Sequence, residues 1–322
     1  MPRILIIISI LCFALNAKPQ YAPAVGQFGS TAIYKDSNII HNWATQCNIE
    51  RGWVNITDTS LGKATNGITN NALGKADNAT ISLGDGGIAT LNFIYPITDG
   101  PSWDFVVFEN AFDDFFLELA FVEVSSDGEN FFRFPAHSIT QTDTQITTFG
   151  TLNTSKINNL AGKYRGSYGT PFDLSELPTY AALNIQHITH IRIIDVVGSI
   201  DTAYGTKDTA GNMINDPFPT PFPSSGFDLD AVGVIHQTVG INTINKHKNS
   251  IKHYPNPANN YLVIESNVTG TIEFYSQLGN LILQKNIKHP KTRINISNLL
   301  SGVYYIIIKT EKEFYTSQFI KL

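Results

Sequence analysis

The residues of this chain best suited to chemistry are carboxylates and amides, and they fall in groups. Asp104, Glu109, Asn110, Asp113 and Asp114 crowd one short apolar run and the segment after it. Asp195 and Asp201 flank the end of a second run, while Asp208, Asn212, Asn215 and Asp216 lie in a long polar stretch. Asp228 and Asp230 have the i, i+2 spacing that puts both side chains on one face of a strand. Calcium takes six to eight oxygens from carboxylates, amides and carbonyls, typically on loops. The pattern predicts a structural calcium ion with Asp104, Asn110, Asp113, Asp216, Asp228 and Asp230 as ligand candidates. The competing reading makes these residues solvated loop carboxylates that close Asx turns.

Other constellations are thinner. In Lys163-Tyr-Arg-Gly-Ser-Tyr-Gly169, Tyr164, Arg165 and Tyr168 could stack on a sugar or another planar ligand and clamp its polar groups; the same loop could be packed by its own tyrosines. His41, His137, His187, His190 and His236 are scattered without zinc-type spacing. No Gly-x-Ser-x-Gly elbow is present, so no catalytic set is assigned. A glycosidase pair of Glu109 and Glu123 would need a separation of about 5–9.5 Å, which the sequence does not fix. Ser82-Leu-Gly-Asp-Gly-Gly87 runs into a strand-like segment rather than a helix, which argues for a tight turn and against a nucleotide loop.

The elements that must position these groups read as strands. Short alternating or apolar runs bounded by Gly, Asn, Asp and Pro recur along the chain, and helical spacing is rare. Asp104–Phe108, Ala120–Val124, His190–Asp195 and Phe227–Ile235 are predicted strands of one sandwich, with Ser125-Ser-Asp-Gly128 as a hairpin turn. Asp173 is placed to cap a single helical turn through Leu177. Residues 238–251 are polar, rich in Asn and Lys, and read as a linker. Beyond them, Tyr261–Ser266, Thr271–Tyr275, Leu281–Ile287, Val303–Lys309 and Tyr315–Leu322 are predicted strands of a second, smaller sandwich.

Composition and the N-terminal end narrow the class. Arg3 followed by the apolar run Ile4–Leu15 and small Ala17 is a signal-peptide pattern over residues 1–17, too short for a membrane helix of about 20 residues. Cys12 invites a lipoprotein reading, but Leu11 before it is larger than lipoprotein processing prefers. Cleavage would leave Cys47 as the single thiol and so no internal disulfide. A net charge of −5 supplies no basic footprint, which excludes a nucleic-acid binder. No later stretch approaches transmembrane length.

Two resemblances follow. Tyr254-Pro-Asn-Pro-Ala-Asn-Asn260, Ile272–Gly279, Ile296-Ser-Asn-Leu-Leu-Ser-Gly-Val-Tyr304 and Phe319-Ile-Lys-Leu322, in that order, resemble the type A C-terminal sorting domain of the type IX secretion system over residues 252–322. The resemblance implies passage through the periplasm, recognition by the type IX machinery, and a secreted or cell-surface location. Leu83–Gly87, Asp104–Phe112, Ala120–Gly128, Gly162–Leu174, Ile194–Val197 and Gly226–Val232 resemble a family of bacterial "cell surface protein" domains. Their Val-Glu-Val-Ser-Ser-Asp-Gly hairpin is also similar to galactose-binding-like, discoidin-type jelly rolls. Those likenesses imply a ligand-binding sandwich, often with calcium, and no catalytic set.

The expectation is therefore an all-β protein: a jelly-roll-like sandwich over residues 22–237, then a small sandwich over 252–322. Its expected role is non-enzymatic binding of a glycan or another extracellular nutrient, supported by calcium. The alternatives are a secreted polysaccharide hydrolase, an accessory protein of cobalamin uptake, and a purely structural surface protein.

Overall fold

The computed structural model describes residues 21–238, 252–265, 269–287, 290–309 and 314–322. The signal-peptide segment 1–17 and all of the expected linker except Thr238 lie outside the described residues. The chain divides into two compact units, Met1–Val239 and Gly240–Leu322. No helix among the described residues is long and apolar enough to cross a membrane.

The first unit contains β1 (Ile33–Tyr34), β2 (Asn42–Trp43), β3 (Gln46–Glu50), β4 (Ile81–Ser82), β5 (Ile88–Ile97), β6 (Phe105–Glu109) and β7 (Ala120–Ser125). It continues with β8 (Phe132–Arg133), β9 (His137–Ser138), β10 (Ile157–Asn158), β11 (Tyr168–Phe172), β12 (Ile188–Asp195) and β13 (Asp228–Val234). Two sheets form from them, in the orders β1-β11-β6-β13-β2 and β3-β5-β12-β7-β8, while β4 pairs with β13 and β9 with β10. Every strand pair is antiparallel.

Side-chain alternation explains how the sheets stack. In β7, Ala120, Val122 and Val124 face the main core, and in β12 Ile191 and Ile193 do the same. They meet Phe105, Val107, Phe172, Leu229, Val232 and Val234 of the other sheet, which makes a sandwich with one shared core. β6 is apolar on both faces because its Val106 and Phe108 pack outward against Ile33, Ala76 and Ala231. The expected hairpin forms, with Gly128 at φ +80° and Asp127 accepting from the backbone N–H groups of Glu129 and Asn130. Asp173 caps the 3-10 turn Leu174–Glu176 by accepting from Ser175 N at 2.9 Å.

The second unit contains β14 (Lys252–Tyr254), β15 (Tyr261–Glu265), β16 (Gly270–Tyr275), β17 (Leu281–Ile287), β18 (Lys291–Asn295), β19 (Gly302–Lys309) and β20 (Phe314–Lys321). They form sheets β14-β15-β18 and β17-β16-β19-β20. Leu262, Ile264 and Ile294 from the first sheet and Ile272, Phe274, Ile306, Ile308 and Phe319 from the second share one core. Tyr304 stacks on Phe319 at 5.5 Å and donates its hydroxyl to Leu300 O at 2.9 Å.

Candidate functional site

The carboxylates singled out from the sequence divide among separate places. Asp104 and Asn110 flank the five-residue β6, and six extended steps of about 3.3 Å put them roughly 20 Å apart along the strand. The six calcium-ligand candidates therefore do not converge on one ion: Asp104 cannot share it with Asn110. Asp104 is instead a fastener, fully buried, accepting from Gly100 N at 2.8 Å and Leu174 N at 2.7 Å and pairing with His236 Nδ1 at 2.9 Å. One of its oxygens lies within 4.8 Å of oxygens of Asp99 and Asp173.

Asp113 closes an Asx turn, accepting from Phe115 N at 2.8 Å and Phe116 N at 2.7 Å, and these two donors hold its carboxyl below the usual range. Asp230 accepts from Asp77 N and Asn78 N through Oδ1, while its buried Oδ2 has no partner. Asn110 donates to Thr80 Oγ1 at 3.3 Å. Asp216 accepts from Leu119 N at 3.0 Å, and Asp228 accepts from the Ser82 hydroxyl.

The strand ends do bring together a different set of acids. Glu109 ends β6 opposite Leu229 near the start of β13, and Asp195 ends β12 opposite Ala120 at the start of β7. Asp195 accepts from Gly86 N at 2.9 Å and Phe227 N at 2.7 Å, which ties the two sheets at this end. Burial first, then the charges of Asp228, Glu109, Asp216 and Asp195, pushes the Glu118 carboxyl well above its ordinary value. Burial and Asp228 do the same to Glu109, and burial, Asp85 and Asp216 to Asp195. Burial raises Asp85 and Asp228 to about 6. Among the described residues none of these acids has a Lys or Arg within ion-pair distance. Two glycines make room for them. A Cβ at Gly198 would fall on Asp216 Oδ1, and one at Gly226 would lie 2.6 Å from Asp195 Oδ1.

The loop Lys163–Gly169 also differs from its expected role. Tyr164 is corrected from a stacking residue to a core residue: it is 1% exposed, and its hydroxyl lies 2.8 Å from Thr31 Oγ1. Tyr168 begins β11 and packs on Tyr34 with ring centroids 5.2 Å apart. Arg165 donates to Asp114 Oδ2 at 2.6 Å, its guanidinium 5.2 Å from the Tyr168 ring. The hydrolase pair dissolves as well. Glu109 is buried and accepts from Ala111 N, whereas Glu123 sits in the other sheet with Arg133 at 2.9 Å and Arg192 at 3.5 Å.

Arg165 leads to a site that the sequence did not reveal. With Asp114 Oδ2 held by Arg165, the buried Oδ1 has no partner, and the same is true of Thr140 Oγ1. Both residues line a hollow of about 420 Å³ together with Gln27, Phe115, Gln141, Asn153, Thr154, Ser155 and Lys156. Backbone bonds from Leu152 N to Phe115 O and from Tyr21 N to Ser155 O draw its walls together. Asn153 caps the 3-10 turn Thr154–Lys156, accepting from Ser155 N at 3.0 Å. Next to Phe115, an exposed aromatic strip runs across three loops. Phe112 and Phe116 are 6.3 Å apart, Phe116 and Phe149 6.2 Å, and Phe149 and Phe222 6.0 Å. Phe112 is 88% and Phe149 75% exposed. A volume of several hundred Å³ lined by polar groups and the Phe115 ring has the form of a small-molecule site.

In the second unit, the ordered motifs and paired sheets coincide with a known family. Residues 252–322 match the family described as secretion system C-terminal sorting domain. This segment is a type IX sorting domain. It marks the protein for export to the cell surface or the medium. No curated protein sequence matches the chain.

Solved structures give only distant likenesses. PorZ, a surface component of the type-IX secretion system of Porphyromonas gingivalis, is 15% identical at a TM-score of 0.20, over 29% of this chain and 14% of that one. The BSP domain of a biofilm associated protein is 9% identical at 0.21, over 73% and 48%. A β-glucuronidase from Ruminococcus gnavus is 10% identical at 0.25, over 89% and 45%. The chain spans less than half the length of each of these structures, and at such TM-scores the likenesses carry no argument.

Proposed function

We propose that the first unit is a non-enzymatic glycan-binding module, carried to the cell surface or the medium by the sorting domain. The observation that carries this reading is the hollow in which Asp114 Oδ1 and Thr140 Oγ1 stand unpartnered beside Phe115. A buried polar atom without a partner costs about 1–3 kcal/mol, and a ligand hydroxyl relieves that cost on binding. Asp114 is preset as an acceptor by Arg165, and the amides and Lys156 offer donors, a mixture that suits vicinal hydroxyls. The hollow suits one or two sugar units. A corrinoid is several times larger, so cobalamin is the weaker ligand candidate.

The test is a glycan array probed with the whole exported protein, followed by titration of the best ligand against Asp114→Ala and Phe115→Ala variants. Loss of one charge-assisted hydrogen bond predicts a weakening of about 10- to 100-fold for Asp114→Ala. A blank array, or an Asp114→Ala protein that binds as tightly as the parent, defeats the proposal.

Calcium enters the reading as a structural ion of the first unit with no ligand set assigned, because among the described residues only Asp99, Asp104 and Asp173 bring three acidic oxygens within 4.8 Å of one another. Its check is a melting curve with calcium against one with chelator.

A further inference from the structure

His41 and His236 lie far apart in the sequence, yet β2 and β13 bring them to one hollow. Asn42 pairs with Val234, and His41 N donates to Val234 O at 2.8 Å. His236 N donates to Asp104 O at 3.1 Å, and Thr98 N donates to His236 O at 3.1 Å. His41 and His236 both line the resulting hollow of about 480 Å³ with Thr98, Gly100, Ile235 and Gln237.

The His236 ring is held on one side by its Nδ1 contact to buried Asp104 and on the other by Gly100, where a Cβ would collide with the ring. With Nδ1 facing the Asp104 carboxylate at 2.9 Å, Nε2 is the ring nitrogen left to meet a ligand in the hollow. Neither His236 Nε2 nor the His41 ring has a hydrogen-bond partner among the described residues, and the two belong to one cavity. A histidine whose other ring nitrogen donates to a carboxylate is the arrangement that orients imidazole for a metal and raises its basicity. A hard cation such as calcium would want oxygens, and those of Asp104 are already taken; neutral imidazoles suit zinc or copper.

We propose that His41 and His236 form a capture site for a late first-row divalent cation, Zn²⁺ or Cu²⁺, with Asp104 positioning the His236 ring and solvent completing the coordination. The site is separate from the sugar hollow and stands or falls independently of it.

Isothermal titration of the whole chain with ZnCl₂ and CuCl₂, with electron paramagnetic resonance of the Cu²⁺ form, tests the assignment. His41→Ala and His236→Ala are each compared with His137→Ala, a histidine outside the hollow. The expected result is one saturable equivalent with two nitrogen ligands, weakened at least tenfold by either hollow variant and unchanged in His137→Ala. Absence of saturable binding, a signal without nitrogen coupling, or His41→Ala and His236→Ala proteins that titrate like the parent would overturn it. Circular dichroism of both variants separates loss of ligands from loss of fold: a folded variant that binds less supports the site. If either variant unfolds, Phe or Gln replaces Ala, and a folded replacement with parental affinity counts against the site.

Discussion

Buried acids are handled in opposite ways in the two units. In the sorting domain, the Glu273 side chain is 7% exposed, but Lys309 Nζ sits 2.8 Å from one oxygen and Tyr275 donates its hydroxyl at 2.7 Å. Those hydrogen bonds hold the carboxyl below its ordinary value. In the first unit, Asp85, Glu109, Glu118, Asp195 and Asp216 have no such cations among the described residues; burial drives all five upward, and repulsion from neighbouring acids adds to it in all but Asp85. A small domain that buries little apolar area has no margin for uncompensated charge. The larger sandwich, with its extensive apolar core, tolerates it at one end.

The largest effect that could break this contrast is the response to acid. Asp85 rises from 3.8 to about 6 in the folded unit, so folding binds protons. Stability is then full below about pH 4, falls as pH climbs through 4 to 6, and stays low above. By linkage that single group costs about 3 kcal/mol at neutral pH, and Asp228 and Asp230 shift in the same direction. Glu273 behaves in the reverse sense: its contribution is present above 4.5 and is lost as pH falls through its lowered value. Calorimetric scans at pH 7 and 5 should show the first-unit transition moving up on acidification while the sorting-domain transition holds, then declines below about 4.5. Two transitions that move together would contradict the comparison.

Calcium is expected to act next in size. A ligand at a hundredfold excess over its Kd stabilises by about 2.7 kcal/mol, and only the first-unit melting point should rise in a calcium-against-chelator experiment. Replacing Glu118 by Gln removes one member of the repelling set. A gain in stability at pH 7 that vanishes at pH 4 is expected from urea titrations. Lys309→Met gives the smallest change, because the lysine is half exposed. It should lower the sorting-domain melting point by a few degrees and leave the first unit untouched.

What could be read from the sequence followed the range of the interactions. Runs such as Phe105-Val-Val-Phe108 and Tyr304-Tyr-Ile-Ile-Ile308 announce strands locally, and the sorting motifs are contiguous. β18, Lys291-Thr-Arg-Ile-Asn295, was hidden because only Ile294 of its five residues is buried. β11 was hidden by Gly169 and Pro171, residues that depress strand propensity. Gly169 is needed because a Cβ there would meet Val106 of the neighbouring strand. The sugar hollow draws on residues near 27, 114, 140 and 155, which no spacing rule connects. Asp104 and Asp113 looked like metal ligands because the oxygens that suit calcium also suit backbone N–H groups. The two histidines were passed over for the same reason of range: β-pairing, not spacing, joins them.

The glycines that nest against the acids also carry a historical consequence. Since Asp216 fills the space a side chain at Gly198 would need, and Asp195 crowds that at Gly226, neither partner can drift alone. Enlarging the glycine evicts the carboxylate, and shrinking the carboxylate leaves a void against the glycine. Each couple is expected to change as a unit: in aligned relatives the two columns should change on the same branches or not at all.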